Sequence, residues 1–290
     1  MDQVDWPASA LPDEVLSFLK HSLYEDIRDE GDHTTLACVP ATESGKARCL
    51  IKGDGVLAGA DLARHIFTMV DPALELEVLI EDGAQVKYGD VVFYVSGSKQ
   101  SILTAERLVL NFMQRMSGIA TTTRRFVDKV SHTSARVLDT RKTTPGLRYF
   151  EKWAVRIGGG ANHRMGLYDM IMVKDNHVDF CGSIGAAINT VQDYLKEKNL
   201  NIPVEIETRN LDEVRQVLER GDVTRIMLDN YSLEDMRAAV EMIGDRFETE
   251  ASGGINLDTV GPIAETGVDF VSVGSLTHSF ESLDISLKAI

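Results

Sequence analysis

Two clusters of cationic and hydroxyl side chains stand near the centre of the sequence. The run Thr140-Arg141-Lys142-Thr143-Thr144 puts two cations and three hydroxyls on one predicted turn, and His163-Arg164 follows shortly after Gly158-Gly159-Gly160. Arg grips a carboxylate or phosphate with two parallel hydrogen bonds, and Lys adds a point charge. Glycine lets backbone N–H groups approach an anion closely. We interpret both segments as parts of an anion-binding site; a solvated loop is the alternative for each.

Three further charged residues follow or end short apolar runs. Lys174 fits an anion ligand, a Schiff-base nucleophile or a structural ion pair. Glu207 and Asp229 are acids that could hold ribose hydroxyls or Mg²⁺, or form ion pairs at the edge of the core. His163 and His177 are not spaced as a helical pair of metal ligands. We therefore do not expect these two histidines to bind a metal.

Small residues follow the last two apolar runs of the chain. Ser252-Gly253-Gly254 and Gly274-Ser275 come after consecutive predicted strands. In many α/β barrels the backbone amides and helix N-termini at these positions bind phosphate. We expect these two turns to hold a phosphate group.

The distribution of charge also favours a small anionic ligand. The whole chain has a net charge of −15, which argues against nucleic acid or an anionic membrane as a general partner. Residues 101–176 hold 13 Lys/Arg and 6 Asp/Glu, a net +7, which leaves −22 for the rest. No apolar run approaches the roughly 20 residues of a membrane helix. Three unspaced cysteines and no secretory signal predict a cytoplasmic protein.

The elements that must position these residues repeat along the second half of the chain. Short strands alternate with helices, and this repetition predicts a parallel sheet or a barrel whose C-terminal strand ends share one rim. A Rossmann sheet would instead place glycines after its first strand. The predicted strands are Arg136–Asp139, Met170–Val173, Pro203–Glu207, Arg225–Asp229, Phe247–Ser252 and Asp269–Val273. The predicted helices are Tyr149–Gly158, Ile184–Lys198, Leu211–Arg220, Leu233–Ile243 and Leu257–Thr266.

The first half of the chain has a different residue pattern, typical of a small β-rich domain. Strands alternate with Gly-Asp and Asp-Gly turns, and the two turn signals around Val86 predict a hairpin over residues 81–90. We also predict strands at Ala47–Lys52, Leu74–Ile80 and Val91–Ser96. The predicted helices are Glu14–Leu23, Asp61–Val70 and Thr104–Val130.

Taken in order, these motifs closely resemble the quinolinate phosphoribosyltransferases, also called nicotinate-nucleotide pyrophosphorylases (carboxylating). The resemblance covers most of the chain. It is strongest over Asp139–Arg148, Glu151–Val155, Gly158–Gly160, Asn162–Arg164 and Lys174–His177. Further matches are Gly31–Thr35, Glu106-Arg107, Asn111-Phe112, Ser117–Thr121, Glu205–Glu207, Leu228–Asn230 and Ala251–Ile255. His33 departs from the aliphatic residue expected there, and we expect it to lie outside the pocket.

The resemblance implies an N-terminal α/β sandwich over residues 1–116 and an incomplete α/β (TIM-like) barrel over 117–276, with 277–290 packing on the sandwich. It implies a pentosyltransferase of NAD biosynthesis that converts quinolinate and 5-phosphoribosyl 1-diphosphate to nicotinate mononucleotide, diphosphate and CO₂ with Mg²⁺. It also implies a dimer or larger homo-oligomer in which Arg107 is lent across the interface.

The same resemblance assigns site residues. Those expected to be catalytic are Lys142, Lys174, Glu207 and Asp229, of which the two acids would also hold Mg²⁺, largely through substrate phosphates. Those expected to bind substrate are Arg107, Arg141, Lys142, Thr143, His163, Arg164, Lys174, Glu207, Asp229, Ser252, Gly253, Gly254, Gly274 and Ser275.

Three other functions remain open from the residues. A relative of the same fold could act on another anion, a barrel aldolase could form a Schiff base at Lys174, and a binding protein could sequester an anion without turnover. Product analysis with quinolinate distinguishes a relative that acts on another anion. Borohydride trapping with a carbonyl substrate reveals a Schiff-base aldolase. A sequestering protein would bind quinolinate but release no CO₂.

Overall fold

A computed structural model describes residues 10–290, which fall into two compact units. Unit 1 contains the described residues up to Arg124, together with Thr143–Gly159 and Leu276–Ile290. Unit 2 contains Arg125–Lys142 and Gly160–Ser275. The chain therefore passes between the units more than once, because Thr143–Gly159 and Leu276–Ile290 both belong with the N-terminal segment.

The described residues form helices and strands in a mixed order. The helices are α1 (Asp13–Ile27), α2 (His33–Cys38), α3 (Ala60–Val70), α4 (Lys99–Val130), α5 (Arg148–Ile157), α6 (Asp175–Cys181), α7 (Ile184–Lys198), α8 (Leu211–Arg220), α9 (Leu233–Ile243), α10 (Val260–Ala264) and α11 (Ser275–His278). The strands are β1 (Ser44–Ile51), β2 (Gly55–Val56), β3 (Glu75–Val78), β4 (Gln85–Val86), β5 (Val91–Ser98), β6 (Arg136–Leu138), β7 (Ile171–Val173), β8 (Val204–Thr208), β9 (Arg225–Asp229), β10 (Glu248–Ser252), β11 (Phe270–Ser272) and β12 (Ile285–Ala289).

Unit 1 is built on a four-stranded antiparallel sheet in the order β12-β1-β5-β3. Helix α3 packs on this sheet, where Phe67 meets Phe93 edge-on with ring centroids 5.9 Å apart. Helix α4 joins the unit through Ser117, whose hydroxyl donates to Ala58 O at 3.0 Å and accepts from Ala58 N at 2.9 Å. The C-terminal strand thus completes the sheet of the N-terminal segment.

Unit 2 contains a six-stranded parallel sheet in the order β6-β11-β10-β9-β8-β7. Strands that follow one another along the chain lie side by side from β7 to β11, and β6 then pairs with β11. This cyclic order is that of an α/β barrel, left incomplete here, as the resemblance implied. Buried apolar side chains from the middle strands, including Ile206, Leu228 and Ala251, form its core.

The helices of unit 2 begin at residues that can cap them. The side chains of Ser183, Asn210 and Ser232 each accept a hydrogen bond from a backbone N–H in the first turn of α7, α8 and α9. Such caps satisfy amides that have no partner within the helix. Helices α8 and α9 therefore start a few residues after the ends of β8 and β9, which holds the strand-end residues in short loops.

The hairpin that we predicted over residues 81–90 is wrong. Val86 lies in β4, which pairs with β2 at Gly55 and Val56 rather than with a strand inside the segment. The two turn signals were real, since Gly83 and Gly89 both have positive φ. They direct the chain towards β2, a partner that lies far away in the sequence. Local turn signals do not identify such a partner. Helices α2, α6 and α11 and strands β2 and β12 were not predicted.

Among the described residues, no helix combines the length and the apolar character needed to cross a membrane.

Candidate active site

The parallel sheet of unit 2 brings most of the predicted site residues to one edge. The carboxyl ends of neighbouring parallel strands lie on the same side of a sheet. Arg141 and Lys142 come after β6, Lys174 follows β7 directly, Glu207 lies near the end of β8, and Asp229 ends β9. Ser252 ends β10, and Gly274-Ser275 follow β11. The spacing of charged residues along the sequence thus reflects the spacing of strands in the sheet.

Arg141 and Arg164 form a pair of like charges in unit 2. Arg164 is only 8% exposed, and its Nη1 donates to Met170 O at 3.2 Å. Burial, and then the neighbouring Arg141, lower the pKa of Arg164. Arg141 Nε is buried and has no hydrogen-bond partner within the described part of the chain. Such an arrangement costs free energy, and a bound anion would offset that cost.

The two predicted lysines are more accessible than the arginines. Lys142 is exposed, and its backbone N–H donates to Thr140 Oγ1 at 3.1 Å. The Lys174 side chain is 51% exposed, and its Nζ lies 3.9 Å from Glu207 Oε2. Accessible ammonium groups can reach the phosphates of a ligand.

Glu207 and Asp229 form an acidic pair beside Lys174. The Glu207 side chain is 11% exposed. Burial, and then the negative charge of Asp229, raise the pKa of Glu207, whereas Lys174 lowers it. A divalent cation would relieve the repulsion between the two acids, and one or two carboxylates with substrate phosphates are a usual ligand set for Mg²⁺. The donor set fits Mg²⁺.

The glycine turn after β10 has a backbone that requires glycine. Gly253 has φ +100°, and a Cβ added there would collide with Asn230 Oδ1. Gly254 has φ +60° and open space around it. The second small turn, Gly274-Ser275, leads into the short helix α11. Both turns can present backbone amides to an anion.

His163 lies in the core of unit 2 and belongs to a buried charged cluster. Its Nε2 is 3.0 Å from Glu205 Oε2 and 3.3 Å from Glu250 Oε2. Arg225 Nη1 donates to Glu250 Oε2 at 2.8 Å. The three residues His163, Glu205 and Glu250 are close enough to suggest a metal site.

The hydrogen bond at Nδ1 of His163 argues against a metal in this cluster. Nδ1 accepts the backbone N–H of Arg164 at 2.7 Å. A ring that bound metal through Nε2 would carry its proton on Nδ1 and would donate there. Burial lowers the pKa of His163, whereas the carboxylates of Glu250 and Glu205 raise it. The Arg164 amide opposes a second proton, since Nδ1 of an imidazolium has no lone pair. Because this donor is fixed in the backbone, we assign the proton to Nε2.

Several functional candidates were missed by sequence reasoning. Asp139 and Glu205 appeared only as letters within longer motifs, and Arg225 and Glu250 were read only as parts of strands. All four are buried, with exposures of 0 to 4%. The signal was present, because a charged residue inside an otherwise apolar strand needs a partner in the core. The identity of that partner depends on the pairing of strands distant in sequence.

Two predicted substrate-binding residues belong to unit 1. Arg107 is exposed on α4. Thr143 Oγ1 accepts from Arg148 Nε at 3.0 Å. His33, the departure from the expected motif, is exposed at the first position of α2.

The described geometry agrees with the relatives of the chain. A family model described as the C-terminal domain of quinolinate phosphoribosyl transferase matches residues 119–288, and the corresponding N-terminal model matches 32–117. A chloroplastic nicotinate-nucleotide pyrophosphorylase [carboxylating] from Arabidopsis thaliana is 50% identical over 95% of this chain and 82% of its own length. A probable enzyme of the same name from a Synechocystis strain is 40% identical over 98% of this chain and 96% of its own length. The structure of the nicotinate-nucleotide pyrophosphorylase from Francisella tularensis has a TM-score of 0.90 at 37% identity, covering 97% of this chain and 98% of that one.

Proposed function

The chain belongs to the quinolinate phosphoribosyltransferase family, and we infer from this that it transfers the phosphoribosyl group of 5-phosphoribosyl 1-diphosphate to quinolinate. The products are nicotinate mononucleotide, diphosphate and CO₂, so the reaction serves NAD biosynthesis. The observation in the structure that best supports this function is that Arg141 lies near enough to Arg164 for its charge to lower the pKa of Arg164. Two guanidinium groups held together suit a ligand with two adjacent carboxylates, as quinolinate has.

The cations of the site have complementary tasks in this proposal. Arg141 and Arg164 pair with the carboxylates of quinolinate, and His163 supports Arg164 from the core through the hydrogen bond at Nδ1. Lys142 and Lys174 stabilise the negative charge that develops on the departing diphosphate. Thr143 adds a hydroxyl beside Lys142. The two turns at 252–254 and 274–275 hold the ribose 5-phosphate through backbone amides.

Glu207 and Asp229 would hold Mg²⁺ and the ribose hydroxyls. When it is bound, Mg²⁺ neutralises phosphate oxygens of the leaving diphosphate. Loss of diphosphate builds positive charge on the ribose, and an acidic pair nearby stabilises that charge. Lys174, 3.9 Å from Glu207, offsets part of the negative charge of the acids.

The decarboxylation that follows needs positioning rather than a covalent intermediate. Once ribosylated, the ring nitrogen of the substrate is cationic. It stabilises the carbanion left when the neighbouring carboxylate departs as CO₂. The protein has only to hold the ring in a cationic pocket and to limit the access of water.

Assembly and location are further parts of the proposal. The exposed Arg107 on α4 would be lent to the site of a second copy of the chain in a dimer or larger homo-oligomer. We propose a cytoplasmic location from the cysteine content, although the name of the Arabidopsis relative places that protein in the chloroplast. Fractionation of the source cells, with immunodetection of the chain, tests the location.

The geometry disfavours a Schiff-base aldolase. A lysine nucleophile is activated by burial in an apolar pocket or by a neighbouring cation. Lys174 has a half-exposed side chain and an acidic neighbour, Glu207. A failure to trap carbonyl substrates with borohydride at Lys174 is therefore expected.

The deciding experiment is incubation with quinolinate, 5-phosphoribosyl 1-diphosphate and Mg²⁺. Release of CO₂ and formation of nicotinate mononucleotide in equal amounts support the proposal. Binding of quinolinate without CO₂ release would indicate a sequestering protein. No binding of quinolinate would indicate a relative that acts on another anion.

A matched pair of variants tests the cationic pocket. Arg141→Ala should weaken quinolinate binding by about 2–3 kcal/mol, because a carboxylate loses a charge-assisted partner. The control is Arg125→Ala, since Arg125 is exposed on α4 and outside the proposed pocket. Calorimetry that gives the same quinolinate affinity for both variants would remove Arg141 from the site.

A further inference from the structure

One buried carboxylate in unit 2 joins the two segments that carry the paired arginines. Asp139 is 0% exposed and follows β6 directly, two residues before Arg141. Its Oδ1 accepts the backbone N–H of His163 at 2.8 Å, and its Oδ2 accepts from Asn162 Nδ2 at 2.6 Å. The residue after His163 is Arg164. The carboxylate thus fixes the chain next to both arginines.

The backbone reinforces this link. Asp139 N donates to Ala161 O at 3.1 Å, and Ala161 N donates to Val137 O at 2.8 Å. Leu138 and Ala161 form an isolated parallel bridge. Residues 161–163 therefore lie alongside the end of β6 as a short added strand, held at its end by the Asp139 side chain.

The position of Arg164 follows from these bonds. Its backbone N–H donates to His163 Nδ1 at 2.7 Å, and its Nη1 donates to Met170 O at 3.2 Å. The backbone of Arg164 is thus fixed to the segment that Asp139 anchors, and its guanidinium group is held by the carbonyl just before β7. A displacement of that segment from β6 would change the distance between the guanidinium groups of Arg164 and Arg141.

Only an ionised side chain of this length can accept at both of its terminal oxygens. An asparagine at the same position would offer one acceptor and would turn an NH₂ group towards the NH₂ group of Asn162. The negative charge has a second effect, since charge-assisted hydrogen bonds are stronger than neutral ones. The structure therefore requires a carboxylate at Asp139 for a reason that concerns geometry rather than direct contact with a ligand.

We propose that Asp139 is a positioning residue which sets the separation of Arg141 and Arg164 and thereby selects ligands with two adjacent carboxylates over monocarboxylates. The inference rests on the proposed function, because it assumes that these arginines bind the dicarboxylate. It adds a determinant of specificity that touches no substrate atom.

An exchange of donor and acceptor tests this role. In Asp139→Asn, two side-chain amides face each other at residues 139 and 162. In Asn162→Asp, two carboxylates face each other there. The double variant Asp139→Asn/Asn162→Asp restores one donor and one acceptor at this contact. The ligands are phthalate, with two adjacent carboxylates, and benzoate, with one. Calorimetry gives the ratio of the two affinities, and thermal unfolding reports the stability of each protein separately.

We expect the unaltered protein to prefer phthalate, and each single variant to lose about tenfold or more of that preference, as the loss of a buried charge-assisted hydrogen bond implies. The double variant should recover most of it. A residue that served stability alone would shift the melting temperature and leave the ratio unchanged. If Asp139→Asn does not fold, Asn162→Ala takes its place, because it removes one donor and leaves the carboxylate.

The outcomes separate the inference from the function on which it rests. An unaltered protein without any preference for phthalate would contradict the dicarboxylate site itself, and the inference with it. A preference that persists in folded Asp139→Asn, or in Asn162→Ala, would overturn the positioning role alone. A double variant that regains the melting temperature but not the preference would also overturn it.

Discussion

Asp82 in unit 1 is a buried carboxylate that meets the N-terminus of α3. Its Oδ1 accepts the backbone N–H of Ala60 at 2.8 Å, whereas Oδ2 is buried without a hydrogen-bond partner in the described chain. The residue as a whole is partly exposed, but its oxygens are shielded. Burial raises the pKa of Asp82 to about 6, although backbone amides at the start of α3 oppose this shift.

This raised pKa predicts a pH-dependent stability. The folded pKa lies above the unfolded value, so the folded state binds the proton more tightly. The resulting stabilisation is complete below about pH 4 and is lost as the pH rises through 6, at a cost of up to about 3 kcal/mol. Asp82→Asn should abolish this change. Denaturant unfolding at several pH values from 4 to 7 measures it, with exposed Asp193→Asn as control. If the free energy of unfolding changed with pH in the same way in Asp82→Asn and Asp193→Asn, the prediction would be contradicted.

The two glycines after β10 differ in what they can tolerate. Gly253→Ala introduces a Cβ against Asn230 Oδ1 at a φ of +100°, whereas Gly254→Ala enters open space at +60°. We expect Gly253→Ala to cost about 1–3 kcal/mol more in stability, because backbone strain and a steric clash combine. It should also impair use of 5-phosphoribosyl 1-diphosphate, since Asn230 adjoins Asp229. Thermal unfolding and separate calorimetric titrations of the two substrates measure these effects. If Gly253→Ala lost affinity for both substrates equally, the site would not be divided into a phosphate-binding end and a quinolinate-binding end.

At the scale of elements, a charged clamp in unit 1 joins α4 to the start of α5. Arg115 Nε donates to Glu151 Oε1 at 3.0 Å, and its Nη2 bonds both Glu151 and Thr144. Glu151 is 0% exposed and also accepts the backbone N–H of Thr144 at 3.1 Å. The clamp thus fixes the segment that follows Lys142 along the chain.

Breaking one side of the clamp should be worse than removing both. Arg115→Leu leaves Glu151 buried without its cation, which should cost about 3–5 kcal/mol in the free energy of unfolding. Arg115→Leu combined with Glu151→Gln removes both charges and should cost clearly less. A double-mutant cycle from denaturant unfolding gives the coupling between the residues. Additive effects would show that the ion pair does not stabilise this contact.

For the whole molecule, the proposal that Arg107 is shared between subunits predicts complementation. Arg107→Ala and Lys174→Ala should each be inactive alone. In a mixed population of twofold dimers about half are hybrids, and each hybrid carries one site free of both defects. Activity should therefore recover to about a quarter of that of the unaltered protein. The measurement is CO₂ release after subunit exchange, with hybrids verified by differential tags. Verified hybrids without activity would argue that Arg107 acts within its own subunit.

The sequence by itself determined the repeating strands and helices and which residues stand at the strand ends. Arg141, Lys174, Glu207 and Asp229 each follow or end a short apolar run, and local hydrophobic periodicity is enough to find such runs. The rule that parallel strands share a carboxyl edge then predicts that these residues meet. The family resemblance gave the same set, together with the fold.

Only the tertiary structure decided which distant segments pair. Val86 pairs with Gly55 rather than within its own segment, and Asp139 bonds His163 and Asn162 across more than twenty residues. Glu205 on β8 and Glu250 on β10 meet at His163 although β9 lies between their strands. The physical reason is that a buried polar group must find a partner, but the chain places that partner in space and not at a fixed distance in sequence.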